Sequence, residues 1–216
     1  MNVFVSIDGV LRNTLQKFDY HYKDYYLNSE TDGSDNFEYG VTEPINNEKL
    51  LQSYRFQSEE ELLNFTYIEF PVEIFGHAGL SYNRAMTEFN ELIYNNSGHT
   101  FTLVGLSELG KAKPATLFFL SKNGCLGNNV RFSILDNIET LWEECDMWIT
   151  DDRRIAEKCP KGKRVIKFNT FYNQHFTNEL KIDKLSEIKV EWLNFSENII
   201  TSTLKVFQGF VRRVLK

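Results

Sequence analysis

The stretch that decides the fold is MNVFVSIDGVLRN, residues 1–13. Residues 3–7 form an apolar run, and the pair Asp8-Gly9 that follows is typical of a tight turn. This pattern predicts a buried first strand whose carboxyl end is Asp8, with Ser6 two positions earlier. Ligands of open α/β sheets bind at the carboxyl ends of the strands, so Ser6 and Asp8 are the first candidate site residues.

Downstream of residue 81 the chain alternates helical patterns with short apolar strands. That order predicts an α/β fold, a Rossmann-like parallel sheet flanked by helices. A long, mostly helical stretch separates the first strand from the second, which predicts a helical cap inserted after the first strand. We take KRVIKF, residues 163–168, as the last core strand. The predicted organisation is a core of residues 1–10 and 81–180, a cap of residues 11–80 and a C-terminal extension of residues 181–216.

Within the cap, apolar residues at helical spacing predict one helix over residues 11–27. Ser58 followed three positions later by Glu61 is a capping-box pattern, and it predicts a helix that runs to about Phe70. Between these two helices the sequence predicts a polar loop and then a further short helix, at residues 28–40 and 41–56.

The C-terminal tail carries apolar residues along one face of a predicted amphipathic helix, residues 196–215. This helix either packs on its own domain or docks on a partner subunit. We therefore expect protein partners to bind through residues 196–215.

Composition narrows the classes of function. The chain has 216 residues and a net charge of −6, which argues against a nucleic-acid partner. It has three cysteines and no CxxC pair, a usage typical of reduced thiols in the cytoplasm. No signal peptide is apparent, and no apolar run approaches the roughly 18 residues that cross a membrane. We expect a cytoplasmic protein without a membrane partner.

Other predicted strands also end in polar residues. Ser107 ends TFTLVGLS, and Asp151 and Asp152 end DMWITDD. If these strands are neighbours of the first one, their ends converge with Ser6 and Asp8 at one edge of the sheet. Carboxylate oxygens crowded together recruit a cation, and Mg²⁺ prefers such ligands. Asp151-Asp152 has a second interpretation, because an acid after a strand is also a common helix N-cap.

These motifs together resemble those of the haloacid dehalogenase-like superfamily, in particular its capped phosphatases of the 5'(3')-deoxyribonucleotidase kind. The first motif of that family is D-x-D-G, followed by a strand ending in Ser or Thr, and later by an apolar strand ending in two acids. The resemblance covers about residues 1–175 and includes the position of the cap. The matching stretches here are SIDGVL, TFTLVGLS, MWITDD and GKRVIKFNTFYNQ.

The resemblance implies a role for each matched residue. The first acid of the family's first motif attacks phosphorus and binds Mg²⁺, and here that position is Ser6. Asp8 matches the acid that protonates the leaving group, and Ser107 matches the hydroxyl that binds the phosphoryl oxygens. The metal ligands implied by the resemblance are Asp8, Asp151 and Asp152.

The family also has a lysine that offsets negative charge, commonly shortly before the acidic strand. No lysine stands between Gly124 and Thr150. Lys113 or Lys122 of the preceding predicted helix could take the place of this lysine. We take Lys113 as the candidate phosphate-binding residue.

A serine hydroxyl is a weak nucleophile unless a neighbouring base takes its proton, and it is a poorer Mg²⁺ ligand than a carboxylate. The site is therefore expected to be degenerate and to bind Mg²⁺ weakly. We expect a catalytically inactive protein, retained as a structural, assembly or binding component. The alternatives are a Mg²⁺-dependent phosphatase or nucleotidase acting on small phosphate esters, and a sensor that binds a small phosphate ligand without hydrolysing it.

The rich usage of Asn, Lys, Phe and Tyr resembles proteins of AT-rich genomes, and capped chains of this kind are common in tailed phages. The resemblance implies a phage protein that resides in the host cytoplasm or in the virion.

Overall fold

The computed structural model describes residues 1–27, 51, 54–106, 110–134 and 137–193. These residues contain one six-stranded sheet in which every pair of neighbouring strands is parallel. The Rossmann-like α/β fold predicted from the sequence is confirmed. In chain order the strands are β1 (Asn2–Ser6), β2 (Thr100–Leu106), β3 (Val130–Ser133), β4 (Met147–Thr150), β5 (Arg164–Phe168) and β6 (Lys181–Ile182).

The order of the strands across the sheet is β3-β2-β1-β4-β5-β6. Strand β1 therefore lies in the interior of the sheet, with Ser6 opposite Val104 of β2 and Val5 opposite Ile149 of β4. Because β1 and β4 are parallel neighbours, the residues that follow their carboxyl ends meet at one edge. This topology places Asp8 and Asp151 close together.

Helices cover both faces of the sheet. Successive β1 residues point to opposite faces, so Val3 and Val5 join one apolar core and Phe4 joins the other. No helix in the described ranges is both long enough and apolar enough to cross a membrane. The helices are α1 (Thr14–Tyr22), α2 (Glu59–Asn64), α3 (Ala85–Asn95), α4 (Ala112–Lys122), α5 (Ile138–Glu144), α6 (Arg153–Glu157) and α7 (Val190–Leu193).

Within the region predicted as a cap, the helices are divided differently from the prediction. Helix α1 begins only at Thr14, after the N-cap Asn13, and continues as a π-helical turn over Lys23–Leu27. Helix α2 likewise passes into a π-helical turn at Phe65–Glu69, and a further one follows at Val72–Gly76. A wider turn changes which side chains face the core, and helical spacing in the sequence does not distinguish it from an α-helix.

The start of α2 follows the predicted capping pattern. The Ser58 hydroxyl accepts a hydrogen bond from the Glu61 N–H at 3.1 Å. The Glu61 carboxylate in turn accepts one from the backbone N–H of Gln57 at 2.5 Å. The predicted loop 28–40 and most of the predicted helix 41–56 lie outside the described residues.

The prediction that residues 163–168 form the last core strand is wrong. Strand β6 pairs with β5, with Ile182 opposite Phe168, and it forms the edge of the sheet. Ile182, Leu185 and Leu193 are buried in the apolar core that contains Val5. A two-residue strand is too short to give a periodic signal in the sequence. The predicted domain boundaries stay a prediction, and the predicted helix 196–215 lies outside the described residues.

Candidate functional site

A small cavity of about 40 Å³ lies at the carboxyl ends of β1 and β4. At about 10–15 Å³ for each water molecule, it has room for about three. The cavity brings together four of the predicted site residues, Ser6, Asp8, Asp151 and Asp152. The remaining lining residues are Arg154, three apolar core residues and two aromatic residues of the cap: Val104, Leu106, Ile155, Tyr67 and Phe75.

Gly9 allows the turn after β1 to approach β4. Its φ of +75° lies in the left-handed region, which favours glycine. A Cβ atom at this position would lie 2.1 Å from Cγ of Asp151, so any other residue would displace that carboxylate. The glycine of the Asp8-Gly9 pair is thus required both by the turn and by the close contact between the ends of β1 and β4.

Ser6 belongs to a hydrogen-bond chain of uncharged groups. The indole Nε1–H of Trp148 donates to Ser6 Oγ at 3.1 Å. The Ser6 hydroxyl donates to Thr150 Oγ1 at 2.9 Å, and the backbone N–H of Asp152 donates to the same Thr150 oxygen at 3.1 Å. Ser6 is buried, and its hydroxyl hydrogen is engaged by a second hydroxyl group.

Among the described residues, Ser6 has no base as a hydrogen-bond partner. In the described ranges, no carboxylate or imidazole forms a hydrogen bond with the Ser6 hydroxyl. The hydroxyl of Thr150 does not deprotonate a serine, because the two groups are alike in acidity. The geometry therefore gives Ser6 no activation as a nucleophile.

Asp8 is neutralised by a buried arginine. The Arg12 guanidinium lies 2.9 Å from Asp8 Oδ1 through Nη2, and its Nε donates to the same oxygen at 3.0 Å. The Thr14 hydroxyl also donates to Asp8 Oδ1. Arg12 is 0% exposed, whereas the Asp8 side chain is 31% exposed and borders the cavity. Asp8 thus has one positive partner within the protein before any ligand binds.

Arg12 also joins parts of the chain that are distant in sequence. Its Nη1 donates to the backbone carbonyl of Phe75 at 3.2 Å, and to the Thr116 hydroxyl of α4 at 2.5 Å. The guanidinium lies 5.0 Å from the centre of the Phe75 ring. Arg12 was not predicted as a site residue from the sequence. The available signal was an arginine four residues after the candidate acid.

Asp152 is the N-cap of α6, which confirms the second interpretation of the pair Asp151-Asp152. Its carboxylate accepts from the backbone N–H of Arg154 at 2.9 Å at the start of α6. The Arg154 guanidinium also forms a two-pronged pair with this carboxylate, with Nε at 2.9 Å from Oδ1 and Nη2 at 2.6 Å from Oδ2. Arg154 lines the cavity and was likewise not predicted as a site residue from the sequence.

Asp151 is held by neutral donors. The Tyr172 hydroxyl donates to Asp151 Oδ2, and the Asn173 amide donates to the Asp151 backbone carbonyl at 3.0 Å. The pKa of Asp151 is raised to about 7, chiefly by burial and in addition by the nearby charges of Asp152 and Asp8, whereas the Tyr172 hydrogen bond lowers it. Asp151 is therefore partly protonated near neutral pH.

The remaining predicted residues lie elsewhere. Ser107 is outside the described residues. Lys113 is exposed on α4, with its ammonium 6.0 Å from the centre of the Phe132 ring, and Lys122 donates to the carbonyl of Gly76 at 3.2 Å. Neither lysine lines the cavity. Phosphate contacts by Ser107 and Lys113 stay predictions.

The three acids do not fit a magnesium site in this arrangement. Asp8 and Asp152 are each paired with an arginine, and Asp151 accepts from Tyr172. Within the described part of the chain, no group of three His, Cys, Asp or Glu side chains is placed to hold one metal ion together. Magnesium needs oxygen ligands that are free to approach it in octahedral geometry. Weak Mg²⁺ binding stays a prediction.

Solved structures resemble this chain over most of its length. A hydrolase of the haloacid dehalogenase-like family from Streptococcus pneumoniae has a TM-score of 0.61 and 12% identity, covering 86% of this chain and 95% of that chain. A haloacid dehalogenase-like hydrolase from Burkholderia xenovorans has a TM-score of 0.53 and 12% identity, covering 89% of this chain and 97% of that chain. Neither a family model nor a curated protein sequence matches the chain. At this identity the likeness concerns the fold, and the chain has the fold of haloacid dehalogenase-like hydrolases.

Proposed function

We propose that this protein is a non-catalytic member of the haloacid dehalogenase-like fold that serves as a binding or assembly component. The observation that carries the proposal is the Ser6 hydroxyl, held between Trp148 Nε1 and Thr150 Oγ1 where a carboxylate would be needed. A carboxylate is anionic at neutral pH and attacks without a base. A serine at the same place has to lose a proton, and no base among the described residues forms a hydrogen bond that could accept it.

The expected loss of rate is large. General-base catalysis contributes about 10²–10⁴-fold, and removal of a catalytic nucleophile costs several powers of ten. Asp8 does not replace the missing base, because its carboxylate is engaged by Arg12 and Thr14. Any residual turnover of phosphate esters is therefore expected to be close to the uncatalysed rate.

The cavity supports a second part of the proposal, the binding of a small anion such as inorganic phosphate. Arg154 lines the cavity and brings positive charge to its wall. With Asp151 protonated, the charges of Asp8 and Asp152 are offset by Arg12 and Arg154. An anion entering this cavity meets a site without net charge, whereas ionised Asp151 would repel it.

Hydrolysis of 4-nitrophenyl phosphate in the presence of Mg²⁺ tests the proposal. We expect the unaltered protein to release no more product than the buffer. The competing function is a Mg²⁺-dependent phosphatase, favoured by Asp8 in the first-motif position and by the hydrolase neighbours of the fold. Mg²⁺-stimulated hydrolysis that is lost in Asp152→Ala would contradict our proposal and establish the competing one.

The subfamily and the biological setting are further parts of the proposal. The position of the cap supports a likeness to capped deoxyribonucleotidases, and the composition supports a phage protein of the host cytoplasm or the virion. We propose that protein partners dock on residues 196–215. Light scattering of the full chain and of a version ending at residue 194 tests self-association, and we expect a larger mass for the full chain. Equal, monomeric masses would rule out self-association through the tail.

A further inference from the structure

A second, larger groove lies beside β5 and β6, at the edge of the sheet that is farthest from β3. Its volume is about 580 Å³, within the range of about 300–1,000 Å³ typical of small-molecule sites. The groove shares no lining residue with the cavity around Ser6. The residues that matter for its chemistry are Lys167, Lys181, Asn169, Phe171 and Asp183.

Two lysines share one wall of this groove. Lys167 of β5 lies opposite Lys181 of β6, so both side chains leave the same face of the sheet. Lys167 is only 4% exposed. Its ammonium donates to the carbonyl of Phe176 at 2.5 Å and lies 5.3 Å from the centre of that ring. A buried cation is thus held beside a second, exposed cation.

Neither lysine forms an ion pair with a carboxylate of the described residues. In the described ranges, no carboxylate oxygen lies within 4.0 Å of the ammonium nitrogen of Lys167 or Lys181. Asp183 lines the groove, but its carboxylate accepts from the Asn169 amide at 2.9 Å. Burial lowers the pKa of Lys167 and the charge of Lys181 lowers it further, whereas Asp183 raises it. A desolvated ammonium next to a like charge is unfavourable unless an anion joins it.

The donors needed for an anion are present. An ammonium group has three donor hydrogens, and the one hydrogen bond of Lys167 to Phe176 uses one of them. Phe171 lines the groove and is 64% exposed, so its ring provides a flat apolar surface for the rest of a ligand. A cationic wall beside an exposed ring matches a small organic molecule with one oxyanion group.

We propose that this groove is a binding site for the oxyanion, phosphate or carboxylate, of a small molecule, held between Lys167 and Lys181. The proposal does not depend on the function proposed for the Ser6 cavity, because the two sites have separate lining residues. A phosphate ester and a carboxylic acid share the chemistry that the lysines recognise, and the experiment separates them.

The test is a titration of the full chain with inorganic phosphate and, separately, with succinate, followed by amide chemical shifts in NMR spectra. We expect saturable shifts in residues 167–183 with at least one of the two anions. Lys181→Gln is expected to weaken this binding about tenfold or more, because it removes a charged hydrogen-bond donor. Lys161→Gln makes the same charge change on an exposed turn and is expected to leave the binding unchanged.

Two further variants keep the result interpretable. Arg154→Gln alters the Ser6 cavity, so shifts in residues 167–183 that persist in this variant belong to the groove. Lys167→Met removes the buried cation, and Lys181→Gln still tests the site if that variant does not fold. Unsaturable shifts with both anions, or equal weakening by Lys161→Gln and Lys181→Gln, would overturn the proposal.

Discussion

The two halves of the Ser6 cavity are stabilised in different ways. On one side, Trp148, Ser6 and Thr150 form a chain of hydrogen bonds between uncharged groups. On the other side, Asp8 and Asp152 each pair with an arginine from within the chain. A site that transfers phosphate needs a charged nucleophile and acids that are free to hold a cation. Here a serine stands at the position of the nucleophile and both acids have internal partners, which is the basis of the proposed loss of catalysis.

The largest expected effect concerns the charged half. Arg12→Met leaves Asp8 without its cation and removes bonds to Phe75 and Thr116. Breaking a buried ion pair costs about 3–5 kcal/mol, and the partial exposure of Asp8 reduces this to about 2–4 kcal/mol. Urea unfolding of the variant measures the change in the free energy of unfolding.

The matched control is Arg153→Gln, which breaks an exposed pair with Glu157 in α6. Exposed pairs contribute about 0–1 kcal/mol, so this variant should unfold almost like the unaltered protein. If Arg12→Met and Arg153→Gln cost the same, Arg12 does not hold the charged half together.

The next effect is a dependence of stability on pH. Burial raises the pKa of Asp151 from 3.8 to about 7, so the folded protein binds a proton that the unfolded chain has released. This group's contribution to stability is therefore lost as the pH rises from about 4 towards 7. Between pH 5 and pH 7 the loss is on the order of 2 kcal/mol. The Asp151→Asn variant should not show this loss of stability when urea unfolding is compared at pH 5 and pH 7.

The control for this pH effect is Glu179→Gln, which removes an exposed carboxylate from the same region of the chain. It should keep the pH dependence of the unaltered protein. An Asp151→Asn variant that loses as much stability between the two pH values as the unaltered protein would show that Asp151 titrates normally.

A smaller effect is expected in the neutral half. Ser6→Ala removes the acceptor of Trp148 Nε1 and the donor to Thr150. A buried donor left without a partner costs about 1–3 kcal/mol, and we expect about 1–2 kcal/mol by urea unfolding. Ser121→Ala, on the exposed face of α4, should change stability by less than about 0.5 kcal/mol. Equal effects of the two variants would mean that the hydrogen-bond chain around Ser6 is not stabilising.

The smallest effect concerns magnesium. Millimolar Mg²⁺ should raise the Tm of the unaltered protein by less than about 1 °C, because Asp8 and Asp152 are already paired. Arg154→Gln frees the carboxylate of Asp152 and should increase the shift, as measured by calorimetry. A rise of several degrees in the unaltered protein would show that the arginines do not compete with the metal.

The sequence was sufficient to predict a parallel α/β sheet without its edge strand β6, and the convergence of strand ends on the condition that the strands are neighbours. Apolar runs ending in Asp8 and in Asp151-Asp152 are long enough to identify β1 and β4, and parallel neighbours bring their ends to one edge. The capping pattern at Ser58 also identified the start of α2, because its hydrogen bonds are local in sequence.

The sequence was not sufficient to predict contacts between residues that are far apart along the chain. Ser6 and Thr150 are adjacent only because β1 and β4 pair, and Arg12 meets Phe75 only through the packing of the cap. Arg154 lines the cavity together with Asp8 and Asp152, and its place in the sequence does not indicate this. Strand β6 was not predicted because two residues are too few to show the alternating hydrophobic pattern of a strand.

The central claim is that the Ser6 hydroxyl does not attack phosphorus, and oxygen exchange between ¹⁸O-labelled inorganic phosphate and water tests it most directly. Formation and breakdown of a phosphoryl-enzyme would replace the label by oxygen from water, which mass spectrometry detects at very low rates. We predict that the unaltered protein with Mg²⁺ exchanges no more label than buffer does. Exchange that Mg²⁺ stimulates and Ser6→Ala abolishes would contradict the claim.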